Sequence, residues 1–248
     1  MERFSYEYTE EAFMKKELKI GIIGAGNIGS ALTRHFTRLG HDVVVANSRG
    51  PKSLAALAKE TGAKAVTAAE ATHGRELVVV TIPEREIPNL PPGLFKGAPD
   101  SLIVIDTGNY YPRRRDGRIG GIENGLPESR WVEQQLGHPV IKVFNNIRAE
   151  HLEKMGKPPG TPGRIALPVA GDSATAKAVV MELVNDMGFD AVDAGGLDES
   201  WRQQPGTPVY AADLNAAGVR EALRTAQPER KPEWRATSKS PGTFQEAA

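Results

Sequence analysis

Short runs of apolar residues alternate with longer amphipathic segments along most of this chain. The runs show no polar alternation, which is typical of parallel strands that are buried on both faces. In Asn27–Leu39 the apolar residues Ile28, Leu32 and Phe36 recur at helical spacing. Strands joined by helical crossovers predict an α/β fold with a doubly wound, mainly parallel sheet. The predicted strands are Lys19–Ile23, Asp42–Ala46, Lys64–Val66, Glu76–Ile82, Leu102–Asp106, Val140–Phe144, Ala166–Ala170 and Phe189–Asp193.

The same pattern divides the chain into four segments. We expect a leader at 1–17, the α/β domain at 18–204, a C-terminal helix at 205–226 and a polar tail at 227–248 that is extended or disordered. Within the domain, Asn109–Leu126 is rich in glycine, arginine and aromatic residues and is predicted to be a long loop at a strand's carboxyl end, where ligands bind in open α/β sheets. Besides Asn27–Leu39, helices are predicted at Lys52–Glu60, Ala68–Thr72, Arg148–Met155, Ser173–Met187 and Tyr210–Ala226.

A glycine-rich turn follows the first predicted strand. The residues Gly24-Ala25-Gly26-Asn27-Ile28-Gly29 match the pattern G-x-G-x-x-G between an apolar strand and a helix. In this pattern the first glycine allows a tight turn, the second lets the backbone approach a pyrophosphate, and the third lets helix and strand pack closely. The helix N-terminus adds free N–H groups and a positive dipole. The context predicts a Rossmann-like unit that binds a nicotinamide dinucleotide.

The end of the second predicted strand indicates which dinucleotide binds. NAD-binding proteins usually place an acid there, which accepts a hydrogen bond from the ribose 2′-OH. Here the strand is followed by Asn47, Ser48 and Arg49, and then by Lys52, with no carboxylate among them. A hydroxyl, a guanidinium and an ammonium group favour the 2′-phosphate of NADP. The alternative is a solvated basic loop.

Two further strand ends carry candidate cofactor residues. Ile82 and Pro83 close the fourth strand, where we expect either contact with the nicotinamide or a plain turn. Asn145 follows the strand that ends at 144 and is a candidate to orient the nicotinamide or its partner. Its neighbour Asn146 is expected to cap the helix Arg148–Met155, because asparagine is a favoured N-cap residue.

The predicted loop after Asp106 supplies candidates for the second substrate. Asn109 is expected to bond a carboxamide or a ring carbonyl. Tyr110 and Tyr111 either stack on a planar ring or pack the loop onto the core. The same loop carries a basic patch of four arginines, Arg113, Arg114, Arg115 and Arg118. A charged run of this kind is more often exposed to solvent than a binding site, so we favour a solvated face over a site for the anionic tail of a substrate.

Composition narrows the function classes. The 31 basic and 31 acidic residues cancel, which gives no general attraction to nucleic acid or to an anionic membrane. No cysteine is present, so thiolate chemistry and Cys-ligated metal sites are excluded, and the five histidines show no metal-ligand spacing. Because no apolar run is long enough to span a membrane and no secretory signal is recognisable, we expect a cytoplasmic protein.

A resemblance to a known family extends from about Leu18 to Leu223. It rests on two segments, GIIGAGNIGSALTRHFTRLGHDVVVANSRGP and, from Pro168, PVAGDSATAKAVVMELVNDMGFDAVDAGGL. Both resemble the NADP oxidoreductases that use the deazaflavin coenzyme F420. The first motif is shared with many β-hydroxyacid dehydrogenase-like and pyrroline carboxylate reductase-like proteins. The resemblance implies a cofactor role for Gly24, Gly26, Asn27, Ile28, Ser48 and Arg49.

The resemblance also implies a reaction, the direct transfer of a hydride between the nicotinamide and the deazaflavin ring. Such a transfer depends mainly on holding two rings face to face, so we predict no catalytic acid or base. We therefore expect an NADP(H)-dependent oxidoreductase whose co-substrate is coenzyme F420 or a flavin, with a homodimer as the expected assembly. One alternative is a reductase of small imines or carbonyls, against which the lack of an evident proton donor argues. The other is a redox sensor that binds NADP without turnover.

Overall fold

Six parallel strands form the central sheet of the computed structural model, which describes residues 16–238. They are β1 Lys19–Ile23, β2 Asp42–Ala46, β3 Lys64–Ala65, β4 Leu77–Val80, β5 Ile103–Asp106 and β6 Val140–Lys142. Across the sheet the order is β3-β2-β1-β4-β5-β6, so the chain starts in the middle and winds outward in both directions. The predicted Rossmann-like, doubly wound α/β class is confirmed.

Helices cover both faces of this sheet, and their apolar stripes close the core. They are α1 Asn27–Arg38, α2 Ala55–Thr61, α3 Gly120–Glu123, α4 Glu128–Leu136, α5 Ala149–Lys154, α6 Ala174–Asp186 and α7 Ala216–Thr225. On α1 the predicted face is buried at Leu32 and Phe36, while Ile28 lies at its edge, half-exposed. Leu32 and Phe36 join one cluster with β-branched residues of β1, β2 and β4, which fixes α1 and its N-terminus against the sheet.

Two more predicted strands pair with each other rather than with the central sheet. They are β7 Ala166–Val169 and β8 Asp190–Asp193, joined in parallel by α6. Beyond β7, Ala170 forms an antiparallel bridge with Lys142, which ties this small sheet to the edge of the large one. Helix α7 packs on it through Val219 and Leu223.

Two of the predicted helices are wrong, one in kind and one in where it begins. Ala68–Thr72 is a series of hydrogen-bonded turns that ends at Gly74, whose φ of +66° stops further winding. The last helix begins at Ala216 rather than at Tyr210, because the Asn215 side chain caps it by accepting from Gly218 N at 2.9 Å. Helix α4 was not predicted.

The expected cap on the helix after β6 is also wrong. Arg148 occupies the N-cap position of α5, and no side chain caps it there. Asn146 instead uses its backbone carbonyl, which accepts from Ala211 N at 2.8 Å. The loop predicted at Asn109–Leu126 contains a π-helical turn, Pro112–Asp116, and helix α3.

The segment expected to be a polar, extended tail is packed where the structure describes it. A short 3₁₀ helix, Pro232–Trp234, places the Trp234 ring 6.1 Å from the rings of both Tyr111 and Tyr210. Two arginines anchor it, since Arg230 pairs with buried Glu128 and Arg235 Nε lies 3.2 Å from Glu123 Oε2. We call residues 228–236 the C-terminal strap. The predicted leader, apart from residues 16 and 17, and positions 239–248 lie outside the described residues.

Candidate functional site

The glycine turn has the geometry of a phosphate-binding turn. Gly24 has a φ of +111°, and a Cβ there would stand 2.2 Å from Thr81 O on β4's exit loop. A Cβ on Gly29 would lie 1.9 Å from Gly24 O, so the turn and α1 pack too closely for any side chain. Gly26, at the N-cap of α1, has no atom within 4 Å of its Cβ position. Two glycines are thus required by packing, whereas the third leaves open space in front of the helix N-terminus.

The end of β2 presents a basic loop beside that turn. Asn47 Oδ1 accepts from Arg49 N at 3.0 Å, and Asn47 Nδ2 donates to Ser53 Oγ at 2.9 Å. This fold of the loop leaves Ser48, Arg49 and Lys52 exposed. The one acid of β2, Asp42, lies at the opposite end of the strand and pairs with Arg75 at 3.0 Å. The loop therefore offers two cations and a hydroxyl without a competing carboxylate.

A cleft of about 470 Å³ opens at the carboxyl ends of β1, β4, β5 and β6. Nine of the residues singled out in the sequence line it, namely Gly26, Asn27, Ile28, Ile82, Pro83, Asn109, Tyr111, Arg115 and Asn145. Sequence reasoning missed Thr81, Thr107, Gly108, Phe144, Ile147, Arg148, Ala149, Tyr210 and Ala211, which line it too. Gly24, Asn47, Ser48, Arg49 and Lys52 lie outside the cleft, in the adjoining turn and basic loop.

The two candidate asparagines bond to each other. Asn109 Nδ2 donates to Asn145 O at 2.8 Å, and Asn145 Nδ2 donates to Asn109 Oδ1 at 3.1 Å. Asn145 also donates to Gln203 O at 2.7 Å and accepts from Gln203 Nε2 at 3.0 Å. Because the Asn145 amide is used within this network, its clearest effect is to fix the cleft wall.

The tyrosine pair of the loop divides between the core and the cleft. Tyr110 is fully buried, donates to Gly117 O at 2.9 Å and accepts from Ile119 N at 3.0 Å. Tyr111 lines the cleft, where its hydroxyl contacts the hydroxyl of Tyr210. Burial, followed by this contact, raises the pKa of Tyr111, which favours the protonated form of its hydroxyl. With Trp234 behind them, these two tyrosines form what we call the aromatic wall.

The basic patch of the loop is only partly a solvated face. Arg115 lines the cleft, bonds Asp116 at 2.9 Å and stands 5.0 Å above the Tyr111 ring. Arg114 and Arg118 are exposed, and Arg113 is half-exposed. Arg115 therefore supports the Tyr111 ring of the aromatic wall. The other three arginines do not line the cleft.

Strained backbone marks the far side of the cleft. Phe144 was predicted as the last residue of a strand, but it has a φ of +65° and lies two residues beyond β6. Ala211, whose amide donates to Asn146 O near by, has a φ of +53°. Non-glycine residues in this region cost about 1–3 kcal/mol each and persist where surrounding contacts hold them, often at binding sites.

Buried charged groups lie directly behind the cleft. Lys142 Nζ is 3.1 Å from Asp106 Oδ2 and donates to Gly108 O at 2.6 Å. Glu84 is fully buried in the same place. The signal for this cluster was present in the sequence, because Asp106 and Lys142 each interrupt an apolar strand. Trp234 gave a weaker signal, as an aromatic residue in otherwise polar surroundings.

Within residues 16–238 no group of His, Cys, Asp or Glu side chains is arranged to hold a metal ion. Over the same residues no helix combines the length and apolar character needed to cross a bilayer.

A segment within the N-terminal half of the chain matches a family model. The family is described as NADP oxidoreductase coenzyme F420-dependent, and the match covers residues 19–110, from β1 to the start of the loop after β5. The Escherichia coli (strain K12) protein YjhV is 51% identical over 70 residues, which are 28% of this chain and 51% of that protein. The matched part thus spans about half the length of this curated relative.

Solved structures extend the likeness to most of the chain. A hypothetical protein from Sinorhizobium meliloti is 30% identical with a TM-score of 0.68, covering 82% of this chain and 97% of that one. An Arthrobacter sp. FB24 protein described as a candidate F420-dependent NADP reductase is 22% identical, with a TM-score of 0.58 over 73% of this chain and 86% of that one. An imine reductase from Myxococcus stipitatus, a variant in complex with NAD⁺, is 16% identical, with a TM-score of 0.55 over 85% of this chain and 62% of that one. The last two share the fold.

Proposed function

Because this chain belongs to the NADP oxidoreductase, coenzyme F420-dependent, family, we propose that it transfers a hydride between NADP(H) and a flat deazaflavin or flavin ring in the cleft. The observation that carries the proposal is the cleft itself. Its one side is the glycine turn with Thr81–Pro83, and its other side is the aromatic wall. Two rings held between these sides would lie face to face, which is what direct hydride transfer needs.

The residues around the glycine turn fit NADP. Open space in front of Gly26 leaves room for a pyrophosphate at the N-terminus of α1, which has no acidic residue in its first turn to repel it. Arg49 and Lys52 at the end of β2 would pair with the 2′-phosphate, with Ser48 as a further donor. Ile82 and Pro83 would bound the nicotinamide from the β4 side. When bound, NADPH supplies the hydride.

The acceptor side offers planar surface and few charges. Tyr111 and Tyr210 present aromatic groups, and Asn109 keeps a carbonyl oxygen that can accept a second hydrogen bond. Arg115, held by Asp116, keeps the Tyr111 ring in place. These residues bind and orient a ring and exclude water from its face.

A second candidate, reduction of a small imine or carbonyl, is favoured by one observation. The sequence showed no evident proton donor, but the hydroxyls of Tyr111 and Tyr210 meet in the cleft. Two hydroxyls that share one hydrogen bond leave one O–H proton without a partner among the described residues. That proton is available to a nitrogen or oxygen that gains a hydride on the neighbouring carbon.

Oxidation of NADPH in the presence of different acceptors separates these candidates. We expect loss of the nicotinamide absorbance with coenzyme F420 or with free flavin, and much slower loss with a cyclic imine, with a ketone or without acceptor. Turnover with the imine alone would replace the first proposal with the second. Tight NADPH binding without turnover on any acceptor would contradict both and indicate a redox sensor.

Three further expectations belong to this proposal. The chain works in the cytoplasm on small molecules, as a homodimer, with no nucleic acid or membrane partner. Residues 18–204 form the NADP-binding domain, and 205–226 form a helical extension. Sedimentation of the purified protein tests the assembly state.

A further inference from the structure

Glu84 is a buried acid without a hydrogen-bond partner. It begins the 3₁₀ helix Glu84–Asn89 directly after the cleft residue Pro83, and its side chain is fully buried. Neither carboxyl oxygen receives a hydrogen bond from the described residues. A Cβ built on the cleft residue Gly108 would stand 2.6 Å from Glu84 Oε1. The carboxyl group therefore lies immediately behind the cleft wall.

The cations around Glu84 are already paired with other carboxylates. Three buried acids from three different elements face it, and each has a cation of its own. The pairs are Asp106 with Lys142, Asp116 with Arg115, and Glu128 with Arg230. Three carboxylates and three cations balance, so an ionised Glu84 would add an uncompensated buried charge.

The hydrogen bonds of Glu84 and of its neighbour Asp106 also differ. Asp106 accepts from Gly108 N at 2.7 Å, from Ser129 Oγ at 2.7 Å and from Lys142 Nζ at 3.1 Å. Glu84 has no such donors. Burial first, and then the charge of Asp106, raise the pKa of Glu84 well above its usual range, and Lys142 only partly opposes them. The protonated form of Glu84 is therefore the favoured one in the folded protein.

We propose that Glu84 stores a proton behind the nicotinamide side of the cleft and that binding of the oxidised cofactor displaces this proton to solvent. The inference rests on the proposed function, because it requires a nicotinamide in the cleft. The oxidised ring carries one positive charge that the reduced ring lacks, and a positive charge nearby favours an ionised carboxyl. By linkage, the ionised carboxyl favours NADP⁺ by the same factor. The protein thus binds NADP⁺ relatively more tightly as the pH rises.

Calorimetry of cofactor binding to the full chain tests this coupling. Titrations in two buffers of different ionisation enthalpy count the protons released. We expect wild-type protein to release more protons with NADP⁺ than with NADPH, and its NADP⁺/NADPH affinity ratio to rise by up to about tenfold per pH unit. Glu84→Gln, a neutral isostere, should bind both forms without that difference. Glu86→Gln is the matched control, because Glu86 lies on the same 3₁₀ helix and bonds Arg85 at 3.0 Å near the surface.

Two results would overturn the proposal while leaving the proposed function intact. One is equal proton release for the two cofactor forms in wild-type protein, and the other is persistence of the difference in Glu84→Gln. If neither nucleotide binds, the coupling and the proposed function both fail. Infrared spectra of the protein without cofactor then test whether Glu84 carries a proton. A protonated-carboxyl carbonyl band at neutral pH should disappear in Glu84→Gln and persist in Glu86→Gln, and its absence from wild-type protein would show that Glu84 stores no proton.

Discussion

The two sides of the cleft are built by different means. The side where we propose that the nucleotide binds consists of backbone groups, open space and exposed cations, and apart from Thr81–Pro83 its parts lie close together in sequence, from Gly24 to Lys52. The proposed acceptor side consists of aromatic side chains held by buried ion pairs between distant residues, such as Arg230 with Glu128, 102 positions apart. Substitutions on the nucleotide side should therefore lower the affinity for the nucleotide and leave the unfolding free energy nearly unchanged. Substitutions on the acceptor side should first lower the unfolding free energy.

The largest expected effect lies in the C-terminal strap. Arg230→Met removes the cation from Glu128, whose side chain is completely buried, and a broken buried pair costs about 3–5 kcal/mol of unfolding free energy. Urea unfolding measures the loss. Arg224→Met is the control, because the Arg224–Glu221 pair on α7 is exposed and its loss should not be measurable. Equal unfolding free energies of the two variants would contradict the claim that buried ion pairs hold the acceptor side together.

A charge reversal in the basic loop should act on affinity instead. Arg49→Asp places a carboxylate where we propose that the 2′-phosphate binds, and it should weaken NADPH by about 100-fold or more. NADH, which lacks that phosphate, should lose little, and the unfolding free energy should stay near the wild-type value because Arg49 is exposed. Fluorescence titration with both nucleotides checks this. An equal loss for both would contradict the assignment of the phosphate.

Substitutions at two glycines of one turn should affect different properties, the affinity for NADPH at one glycine and the stability of the fold at the other. Gly26→Ala adds a methyl group into open space at an allowed φ of −75°, so stability should be kept while NADPH affinity falls by roughly tenfold. Gly29→Ala drives its methyl group against Gly24 O and should cost about 1–3 kcal/mol. Thermal unfolding and nucleotide titration of both variants measure this contrast. Unimpaired NADPH binding by Gly26→Ala would place the pyrophosphate elsewhere.

Measured over a single pH unit, the smallest effect concerns the pH dependence of stability. The folded-state pKa of Glu84 is raised, so its contribution to stability is complete below the unfolded-state pKa and is lost as the pH rises toward the folded-state value. Between those values, wild-type protein should lose about 1.4 kcal/mol per pH unit relative to Glu84→Gln. Unfolding in urea from about pH 5 to pH 8 follows this slope. A constant difference between the two proteins would show that Glu84 is ionised when folded.

The sequence predicted the nucleotide side better than the acceptor side for a physical reason. Apolar periodicity and glycine spacing are local signals, and they identified the strands, α1 and the turn between Gly24 and Gly29. Helix α4 was missed because its apolar residues Trp131, Val132 and Leu136 follow a glycine-rich loop and do not fill one face. The strap was missed because its stability comes from pairs between distant residues, which no local pattern contains.

The functions of the predicted site residues remain predictions. The structure brings Asn109 and Asn145 into the cleft wall beside Tyr111, but through bonds with each other that the sequence did not indicate. It also separates Tyr110 from Tyr111, which adjacent positions in one loop could not distinguish. Burial of a particular ring depends on which distant segment covers it. Arg230 of the strap lies 5.4 Å from the centre of the buried Tyr110 ring, whereas Trp234 and Tyr210 contact Tyr111, which stays open to the cleft.

The strap also sets an order in time. A ribosome makes the chain from its N-terminus, so β1, α1 and β2 emerge long before Arg230, Trp234 and Arg235 exist. The nascent protein can therefore form its nucleotide turn while the aromatic wall still lacks its backing and Glu128 still lacks its cation. A partly made chain would hold a cofactor-binding half before it has a complete acceptor half, and the late anchoring of the strap would join the two.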